Sequence, residues 1–534
     1  MKISLAQINP IVGDLNYNYK LIIKHAQIAK KSGAEILITP ELSICGYPPE
    51  DLLLNNEFIS KCKYYVEEIA KNCIGLKLIV GYPRKFKGKL FNSASILYGG
   101  RIQKTYNKQI LPNHGVFDEK RYFDAGNTSL AFSHKNKKFG VLICEDIWEK
   151  GPIEKLFKKK IDFVICINAS PYDVNKNQLR LKELEKRVSL LKNIIIIYVN
   201  LIGGQDDLLF DGGSFIYSQK NGLIKTLQQF KSINHIIETK NLLENKQYSV
   251  NTKLNKTKTL LDGLILALKD YVQKNSIKNI FIGLSGGIDS AVVLFIASKA
   301  FKKEKINALM MPSNFTSKAS LEDAKKLSRN LDVNYKIKDI QPLMKLFGKT
   351  LANDFKGFQK DITEENIQAR IRGVLLMAYA NKFNGIVLST SNKSEVAVGY
   401  STVYGDMVGG FSVLKDVPKT LVYKIANEIN SKNEIIPKRI IERPPSAELA
   451  KNQTDQDNLP DYDILDEILD LYVEKNQSPK VIIKKGFSAH IVKKVVKLVN
   501  DNEFKRRQAA PGPKVTNKAF GKDRRYPITS KYKP

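Results

Sequence analysis

Three chemically useful side chains in the first 150 residues each follow a strand-like segment. Glu41 comes after residues 36–39, Lys108 after the segment that ends at Asn107, and Cys144 after residues 139–143. A cysteine attacks carbonyl carbon only as the thiolate, so it needs a base and a nearby positive charge. Glu41 can take the thiol proton, and Lys108 can stabilise both the thiolate and a tetrahedral oxyanion. Taken singly, each residue also has a structural explanation: a core cysteine, a helix-start glutamate and a surface lysine.

A glycine-rich turn separates two apolar stretches in the other half of the chain. Residues 280–284 form a short apolar run, SGGIDS follows at 285–290, and a longer apolar stretch starts at Ala291. Strand, glycine turn and helix together bind phosphate, because the backbone N–H groups and the helix dipole converge on an anion. No Gly-Lys-Ser/Thr closes the turn, so it is not a P-loop; Asp289 instead suggests a Mg²⁺ ligand on a pyrophosphate. A tight turn without a ligand is the alternative.

The elements that must position these residues alternate between strand-like and helix-like patterns. In the N-terminal part this predicts a layered α/β fold, with strand ends carrying the polar residues. The predicted strands are 2–7, 36–39, 77–81, 93–97, 139–143, 161–167, 194–200 and 212–217, and helices are predicted near 19–32 and 58–72.

In the C-terminal part, strands at 280–284, 307–311, 334–340 and 386–388 alternate with helices. One helix is predicted to open at a capping box, Ser320 to Asp323, and a long one to run from Thr363 to Phe383. This order predicts a parallel, doubly wound sheet that collects ligands at the carboxyl ends of its strands.

Length and composition place limits on the kind of protein. A chain of 534 residues that is 43% hydrophobic predicts at least two domains with full cores. No apolar run is long enough for a membrane span, and the N-terminus reads as a strand rather than a signal peptide. The five cysteines are odd in number and contain no CxxC, which argues against a disulfide framework or a zinc site. We therefore expect a cytoplasmic protein.

The net charge of +32 raises the question of nucleic-acid binding. The lysines are spread along the chain rather than gathered in one block, so a generally lysine-rich surface is favoured, ahead of attraction for anionic small molecules. Nucleic acid is the least favoured partner. A polar stretch without sustained periodicity predicts a linker at 246–258.

The sequence words around the first three residues carry a family resemblance. PELSICGYPPEDLL (40–53), KQILPNHGVFDEKRYF (108–123) and ICEDIW (143–148) resemble the nitrilase superfamily, and within it the glutaminase domain of glutamine-dependent NAD synthetases. The resemblance implies an α-β-β-α sandwich, with Glu41 as base, Lys108 as oxyanion stabiliser and Cys144 as nucleophile. It also implies a supporting carboxylate and glutamine contacts at Glu119, His114, Ser170 and Lys176. At His114 and Lys176 the family often has Tyr and Arg-like residues.

The second half resembles the ATP pyrophosphatases (adenine nucleotide α-hydrolase-like), and NAD synthetases in particular. SGGIDS, the stretch STSNKSE (389–395) and YSTVYGDM (400–407) carry this resemblance. It implies ATP contacts at Gly283, Leu284, Ser285, Gly286, Gly287, Ile288, Asp289, Ser290, Thr390, Lys419 and Ser446. It implies deamido-NAD contacts at Asn366, Arg370, Glu395, Asp406 and Lys505, and Mg²⁺ held by Asp289 and Glu395.

Together the two resemblances imply a glutaminase domain at 1–245 and a synthetase domain at 259–534 that ends in a basic lid. The implied reaction amidates deamido-NAD through an adenylate, with glutamine-derived ammonia kept neutral in a water-poor channel. Homo-oligomers are implied as well. Two alternatives stay open: another glutamine-dependent adenylating ligase, and a basic RNA-binding or RNA-modifying protein.

Overall fold

The structure, a computed structural model, describes residues 1–188, 194–243 and 255–532. The chain divides into two compact units. The N-terminal unit comprises Met1–Gln205 with Leu209–Leu254, and the C-terminal unit comprises Asp206–Leu208 with Asn255–Pro534. Most of the predicted linker, 246–254, lies outside the described residues. Within the rest of it, Asn255 caps a helix that begins at Lys256, slightly before the predicted restart at Thr259.

The N-terminal part is built mainly of strands. These are β1 (Lys2–Gln7), β2 (Ile36–Ile38), β3 (Lys77–Phe86), β4 (Lys89–Tyr98), β5 (Arg101–Asn107), β6 (Leu130–His134), β7 (Lys137–Ile143), β8 (Phe163–Asn168), β9 (Ile195–Asn200), β10 (Ile202–Gln205), β11 (Leu208–Asp211), β12 (Phe215–Ser218), β13 (Gly222–Thr226) and β14 (Ile233–Glu238). The helices are α1 (Leu15–Lys31), α2 (Asn56–Asn72), α3 (Pro152–Phe157), α4 (Lys176–Val188) and α5 (Thr239–Leu243).

Two six-stranded sheets form the centre of the N-terminal unit. Their strand orders are β14-β1-β2-β3-β4-β5 and β13-β12-β9-β8-β7-β6. One apolar core joins them, since side chains of β1 and β2 such as Leu5 and Ile38 share a cluster with Val141 and Ile165 of β7 and β8. Helices α3 and α4 add Leu156 and Leu184 to that cluster, while α1 and α2 pack on the first sheet. The predicted α-β-β-α sandwich is confirmed.

Strand direction brings the chemically useful residues toward one end of this sandwich. Strands β2 and β3 run parallel, and β4 and β5 reverse direction twice, so β5 ends on the same side as β2. In the other sheet β7 and β8 are parallel neighbours. Residues that follow β2, β5, β7 and β8 are therefore placed to meet, which includes Glu41, Lys108 and Cys144.

The C-terminal unit alternates strands and helices. Its strands are β15 (Asn279–Gly283), β16 (Ile306–Met310), β17 (Asn334–Ile337), β18 (Gly385–Ser389) and β19 (Phe411–Ser412). Its helices are α6 (Lys256–Lys274), α7 (Ile288–Ala300), α8 (Lys318–Leu331), α9 (Gln341–Leu351), α10 (Ile362–Lys382), α11 (Lys393–Val398), α12 (Lys419–Ile429), α13 (Lys438–Glu442), α14 (Tyr462–Leu469), α15 (Pro479–Lys484), α16 (Ala489–Asp501) and α17 (Glu503–Arg506).

A five-stranded sheet organises this unit, in the order β17-β16-β15-β18-β19. Every neighbouring pair in it is parallel. Helix α10 covers one face, where Ile371 and Leu376 pack on Phe281, Leu309 and Val387. The predicted doubly wound parallel sheet is confirmed, and its strand order reverses beside β15, which is where such sheets bind ligands.

The basic C-terminal segment packs against the C-terminal unit. Asp416 accepts hydrogen bonds from the backbone of Val515 and Thr516, at 2.8 Å each. The buried Lys393 ammonium lies 2.9 Å from the Asp416 carboxylate and donates to the Lys518 carbonyl at 3.0 Å. These contacts fix part of a stretch whose composition alone resembles a solvated tail.

Some expectations about local structure differ from what is observed. The capping box at Ser320 is wrong: α8 begins at Lys318, and Ser317 is the cap, its hydroxyl accepting from the Ser320 N–H at 3.1 Å. Strand β3 continues to Phe86, well past the predicted end at Gly81, because it pairs with β4 in a long hairpin. Among the described residues no helix is both long and apolar enough to cross a membrane.

Candidate active sites

A buried lysine held between two carboxylates forms the centre of the N-terminal site. The Lys108 ammonium lies 2.8 Å from Glu41 Oε1 and 2.7 Å from Glu119 Oε1, and its side chain is fully buried. Burial works to lower the pKa of Lys108, but the charges of Glu119 and Glu41 outweigh it and raise that pKa well above its ordinary value. The ammonium is therefore permanently charged at neutral pH and supplies a fixed positive pole.

Glu41 is held by contacts from three parts of the fold. Besides Lys108, its Oε1 accepts from Asn92 Nδ2 at 2.7 Å, and its Oε2 accepts from the Ala169 N–H at 2.8 Å. The turn after β2 passes close to Gly81, where an added Cβ would lie 2.5 Å from the Leu42 nitrogen. Glycine at this position lets the Glu41 turn approach the sheet.

Cys144 follows β7 in a conformation uncommon for a residue with a side chain. Its φ is +45° and it is 3% exposed. Burial raises the pKa of the Cys144 thiol well above its ordinary value; Glu41 and Glu145 raise it further, whereas Lys108 lowers it. A neutral resting thiol that lies among these charges requires a base when it attacks, and Glu41 belongs to the same cluster. Cys166, by contrast, is a core residue of β8.

Glu119 shares the Lys108 ammonium with Glu41, and this affects its protonation. Burial raises the pKa of Glu119 to about 7, against the lowering effect of Lys108. Its Oε1 also accepts from the Tyr47 hydroxyl at 3.0 Å, while its buried Oε2 has no hydrogen-bond partner. That free acceptor is a candidate contact for a substrate N–H group.

Glu119→Gln is expected to become more stabilising as the pH rises from about 5 to 8. Folding raises the pKa of Glu119 from 4.5 to about 7. The contribution of Glu119 to the stability of the wild type is therefore complete at low pH and is lost as the pH rises through about 7. Glutamine stays neutral throughout, so the unfolding midpoint of the variant minus that of the wild type should increase by a few degrees. Differential scanning calorimetry measures it, with exposed Glu154→Gln as control. A flat or decreasing difference would contradict the assignment.

The other three predicted glutamine contacts differ in their burial and in their partners. Ser170 is buried next to Ala169, and its hydroxyl accepts from Arg180 Nη2 at 3.1 Å. His114 is exposed, with Nε2 3.7 Å from Glu145 Oε1, beside the nucleophile. Lys176 begins α4 and donates its backbone N–H to the Asp173 carbonyl at 3.1 Å.

The predicted nucleotide loop lines a cavity at the carboxyl ends of β15 and β18. Twelve of the predicted ATP, dinucleotide and metal residues line it: Gly283, Leu284, Ser285, Gly287, Ile288, Asp289, Ser290, Thr390, Glu395, Asp406, Lys419 and Ser446. Gly286 belongs to the same loop but is not among the lining residues, and its carbonyl accepts from Arg443 Nη2 at 2.6 Å. With φ at +82°, a Cβ on Gly286 would lie 2.7 Å from the Ser320 carbonyl oxygen.

The N-terminus of α7 opens into this cavity. Gly287 is its cap residue, and no side chain caps the helix. The Ser285 hydroxyl accepts from the Gly287 N–H at 3.2 Å, and Ser290 Oγ donates to the Gly287 carbonyl at 2.9 Å. These bonds hold the loop open so that the first N–H groups of α7 can receive an anion.

A second lysine lies between carboxylates in the same cavity. Lys419 Nζ is 2.5 Å from Asp289 Oδ2 and 3.1 Å from Glu395 Oε1. Burial works against its charge, yet Asp289 and Glu395 raise the pKa of Lys419. Burial raises the pKa of Glu395 to about 8, although Lys419 lowers it. Asn392 Nδ2 donates to Asp289 Oδ1 at 2.9 Å, which joins the loops after β15 and β18.

This donor set fits magnesium held jointly with phosphate. No group of three or more His, Cys, Asp or Glu side chains able to hold a metal ion occurs among the described residues. Two carboxylates are nevertheless enough, because Mg²⁺ is commonly bound by one or two carboxylates together with substrate phosphates. Asp289 and Glu395 supply such oxygens at the mouth of the anion-binding loop.

Three predicted dinucleotide residues, Asn366, Arg370 and Lys505, contact the loop 399–406 and do not line the cavity, whereas Asp406 ends this loop and does line it. Asn366 Oδ1 accepts from Thr402 Oγ1 at 2.8 Å, and Arg370 Nε donates to the Val403 carbonyl at 3.3 Å. Lys505 Nζ donates to the carbonyls of Gly399 and Ser401, at 2.7 and 2.9 Å. Asp406, whose pKa burial raises to about 6, accepts from the Thr402 N–H at 2.7 Å.

Two arginines that line the cavity were not among the predicted site residues. Arg372 lies on α10 and donates Nε to the Met311 carbonyl at 3.0 Å. Burial lowers the pKa of Arg372 to about 10. Arg443 reaches the glycine loop from α13 and also donates to Ser320 Oγ at 2.7 Å. The signal in the sequence that could have identified Arg372 is an arginine within the apolar pattern of the helix.

Comparison with known proteins covers both units. The carbon-nitrogen hydrolase family model matches residues 2–236, and the NAD synthase model matches residues 260–509. A glutamine-dependent NAD(+) synthetase from Acinetobacter baylyi is 44% identical over 100% of this chain and 99% of its own length. One from Synechocystis is 41% identical with the same coverage.

Two solved structures agree with this. The glutamine-dependent NAD+ synthetase from Acinetobacter baumannii, in complex with adenosine diphosphate, is 42% identical with a TM-score of 0.80, covering 99% of this chain and 98% of that one. A glutamine-dependent NAD(+) synthetase from Cytophaga hutchinsonii is 23% identical with a TM-score of 0.85 and the same coverage, and it shows the shared fold. The resemblance drawn from the motifs is confirmed, and the chain belongs to the glutamine-dependent NAD(+) synthetase family.

Proposed function

We propose that this chain amidates deamido-NAD to NAD, using ATP and ammonia that it releases from glutamine. The products are NAD, AMP, diphosphate and glutamate. One observation carries the proposal: a single chain holds a buried Glu-Lys-Glu cluster around a strained cysteine, and an anion-binding glycine loop beside two carboxylates. The first arrangement suits hydrolysis of an amide, and the second suits transfer of a nucleotidyl group.

In the first reaction Cys144 attacks the side-chain amide carbon of glutamine. Glu41 removes the thiol proton as the carbon–sulfur bond forms, and the Lys108 ammonium stabilises the oxyanion. Glu41 returns the proton to the leaving nitrogen, so ammonia departs and a thioester remains. Water, deprotonated by Glu41, then hydrolyses the thioester to glutamate and restores the thiol.

Polar residues around the Glu41–Lys108–Glu119 cluster position glutamine in this site. We assign Glu119 as a supporting carboxylate whose free Oε2 accepts from the glutamine amide N–H. Ser170, His114 and Lys176 bind the remainder of glutamine, and Ser170 is the best fixed of them because Arg180 holds it. At neutral pH most free ammonia is protonated and is no nucleophile, so we propose that it passes to the synthetase reaction without release into solvent.

In the second reaction a carboxylate of deamido-NAD attacks the α-phosphorus of ATP. The bond to diphosphate breaks, and the resulting acyl adenylate accepts ammonia and expels AMP. We place ATP on residues 283–290, with Thr390, Lys419 and Ser446 as further contacts. The N–H groups of the loop and the Lys419 ammonium stabilise the phosphate charge.

Asp289 and Glu395 would hold magnesium at this loop. When bound, magnesium neutralises negative charge on the phosphate oxygens. Deamido-NAD is assigned to Asn366, Arg370, Glu395, Asp406 and Lys505. In support, the loop that joins most of these residues ends at Asp406, which lines the nucleotide cavity.

The assignment of the two reactions to separate domains of the chain is also a proposal. We assign residues 1–245 to the glutaminase domain, 246–258 to the linker and 259–534 to the synthetase domain, whose basic end acts as a lid. A homo-oligomer is proposed because α9 and α10 expose apolar side chains, among them Phe347 and Val374. The reducing cytoplasm is proposed as its compartment because all five cysteines are free thiols.

Exchange of labelled diphosphate into ATP tests the adenylation step. We expect exchange that depends on deamido-NAD and magnesium and needs no nitrogen source, because the adenylate forms before ammonia enters. Omission of deamido-NAD is the control. Exchange driven only by a different carboxylate would identify another adenylating ligase, and no exchange with any carboxylate nucleotide would refute the second reaction.

A further inference from the structure

Asp146 is a fully buried carboxylate that no part of the proposed reaction uses. It lies in the ICEDIW segment, two residues after Cys144. Four hydrogen-bond donors converge on it: the backbone N–H groups of Gln109, Ile110 and Ile143, and the Tyr106 hydroxyl. Four donors on one buried carboxylate indicate that Asp146 fixes the backbone segments that supply them.

The donors come from both sides of the glutaminase site. Asp146 Oδ1 accepts from Gln109 N at 3.0 Å and Ile110 N at 2.8 Å, the two residues directly after Lys108. Its Oδ2 accepts from Ile143 N at 3.2 Å, directly before Cys144, and from Tyr106 Oη at 2.8 Å. One carboxylate therefore connects the backbone that carries the ammonium with the backbone that carries the thiol.

Both of these stretches require such fixation. The turn at Cys144 holds a positive φ, which a residue with a side chain adopts only when its surroundings impose it. Lys108 lies on a loop that is otherwise fixed by Lys108 N donating to the Asn92 carbonyl at 2.8 Å and Gly126 N donating to the Lys108 carbonyl at 2.7 Å. Those bonds tie Lys108 to its own surroundings, whereas Asp146 ties it to the cysteine turn.

We propose that Asp146 is a positioning residue of the glutaminase reaction. It holds the Lys108 ammonium at a fixed position relative to the Cys144 sulfur. The inference rests on the proposed function and specifies how its first site is assembled. Asp146 touches neither substrate nor the reacting atoms and acts through the two backbone segments that it joins.

The charge of Asp146 suits this function. Burial raises the pKa of Asp146 to about 6, while the Ile110 N–H, Lys108, the Tyr106 hydroxyl and the Ile143 N–H lower it. At neutral pH both oxygens therefore remain acceptors. An asparagine has the same shape but only one accepting oxygen, and its NH₂ group would point at a donor.

Asp146→Asn is expected to lower kcat for glutamine hydrolysis by about 10²-fold, because small misplacement of a catalytic group has an effect of that size. The KM for glutamine should change far less, since Ser170, His114 and Lys176 are untouched. Alkylation of Cys144 by iodoacetamide should slow and its half-maximal rate should move to higher pH, because a displaced Lys108 ammonium lowers the pKa of the Cys144 thiol less. The ionisable groups that act on Cys144 in that profile are Glu41, Lys108, Glu119, Glu145, Tyr47 and Tyr198.

Two further variants make the test specific. Asp162→Asn is the matched control, because Asp162 Oδ2 also accepts a backbone N–H, from Lys138 at 2.8 Å, away from the site; hydrolysis and alkylation should stay at wild-type rates. Tyr106→Phe keeps the three backbone bonds and removes one donor, so about a fivefold fall in kcat is expected. If Asp146→Asn fails to fold, Tyr106→Phe carries the test.

A folded Asp146→Asn variant with the wild-type kcat and the wild-type alkylation profile would overturn the inference. A variant in which only the KM for glutamine rises would overturn it as well. An unchanged kcat in Tyr106→Phe would do the same where Asp146→Asn does not fold. Failure of the proposed function looks different, because the wild type itself would then hydrolyse no glutamine. Ammonium-dependent NAD formation by Asp146→Asn should stay near the wild-type rate.

Discussion

Cys144→Ala is expected to lower glutamine-dependent NAD formation by about 10³-fold or more, while ammonium-dependent formation continues near the wild-type rate. Alanine removes the sulfur that forms the thioester in the proposed reaction, and the carboxylates and ammonium of the Glu41–Lys108–Glu119 cluster cannot form a thioester in its place. The synthetase reaction needs ammonia from any source, so added ammonium bypasses the loss. Steady-state assays with each nitrogen source measure both rates.

Cys62→Ala provides the matched control for this experiment. Cys62 is equally buried but belongs to α2, and its loss should leave both nitrogen sources effective. Equal loss of the glutamine and ammonium reactions in Cys144→Ala would show that the cysteine is structural. Retention of glutamine-dependent activity would assign the nucleophile elsewhere.

Asp289→Asn is expected to lower NAD formation from both nitrogen sources by about 10²- to 10³-fold. The substitution keeps the shape of the side chain but removes the charge that faces Lys419 and is available to magnesium. The amide of this variant would leave Glu395 as the one carboxyl group of the proposed metal site. Glutamine hydrolysis assayed without nucleotides should persist, because none of its residues is altered.

The matched control is Asp332→Asn, the same chemical change at an exposed ion pair with Lys303 in the same unit. It should leave every rate unchanged. A folded Asp289→Asn that still makes NAD from ammonium at the wild-type rate would remove Asp289 from the proposed magnesium and ATP site. Loss of glutamine hydrolysis as well would indicate a structural defect instead.

The sequence predicts parts of both charge clusters. Glu41 and Cys144 follow β2 and β7, whose apolar runs are visible in the sequence, whereas β5 before Lys108 is polar and this lysine was identified through the family resemblance of its sequence word. SGGIDS likewise lies between a strand pattern and a helix pattern. For Glu41, Cys144 and the glycine loop a local pattern therefore places the residue next to a strand end; the role of each residue stays a prediction.

Contacts between distant segments could not be predicted in this way. Asn92 on β4 reaches Glu41, and Arg443 reaches the carbonyl of Gly286, because sheet order and helix packing bring them there. No local pattern specifies such pairs. Asp146 illustrates the same limit: it belongs to a recognised sequence word, but its partners near Lys108 lie on another strand.

The net charge was equally uninformative about the sites. Lys108, Lys393 and Lys419 are all buried and paired with carboxylates, so the lysines that matter most contribute little to the basic surface. Composition counts a buried, compensated lysine and an exposed one alike. The family relationship, and not the charge, decides between a ligase and an RNA-binding protein.

The most direct test is an assay of the wild-type chain with deamido-NAD, ATP and magnesium, supplied with either glutamine or ammonium. We expect NAD from both nitrogen sources, AMP and diphosphate in amounts equal to NAD, and glutamate equal to NAD when glutamine is the source. Failure to form NAD from either source, or release of ADP and phosphate in place of AMP and diphosphate, would contradict the proposed reaction.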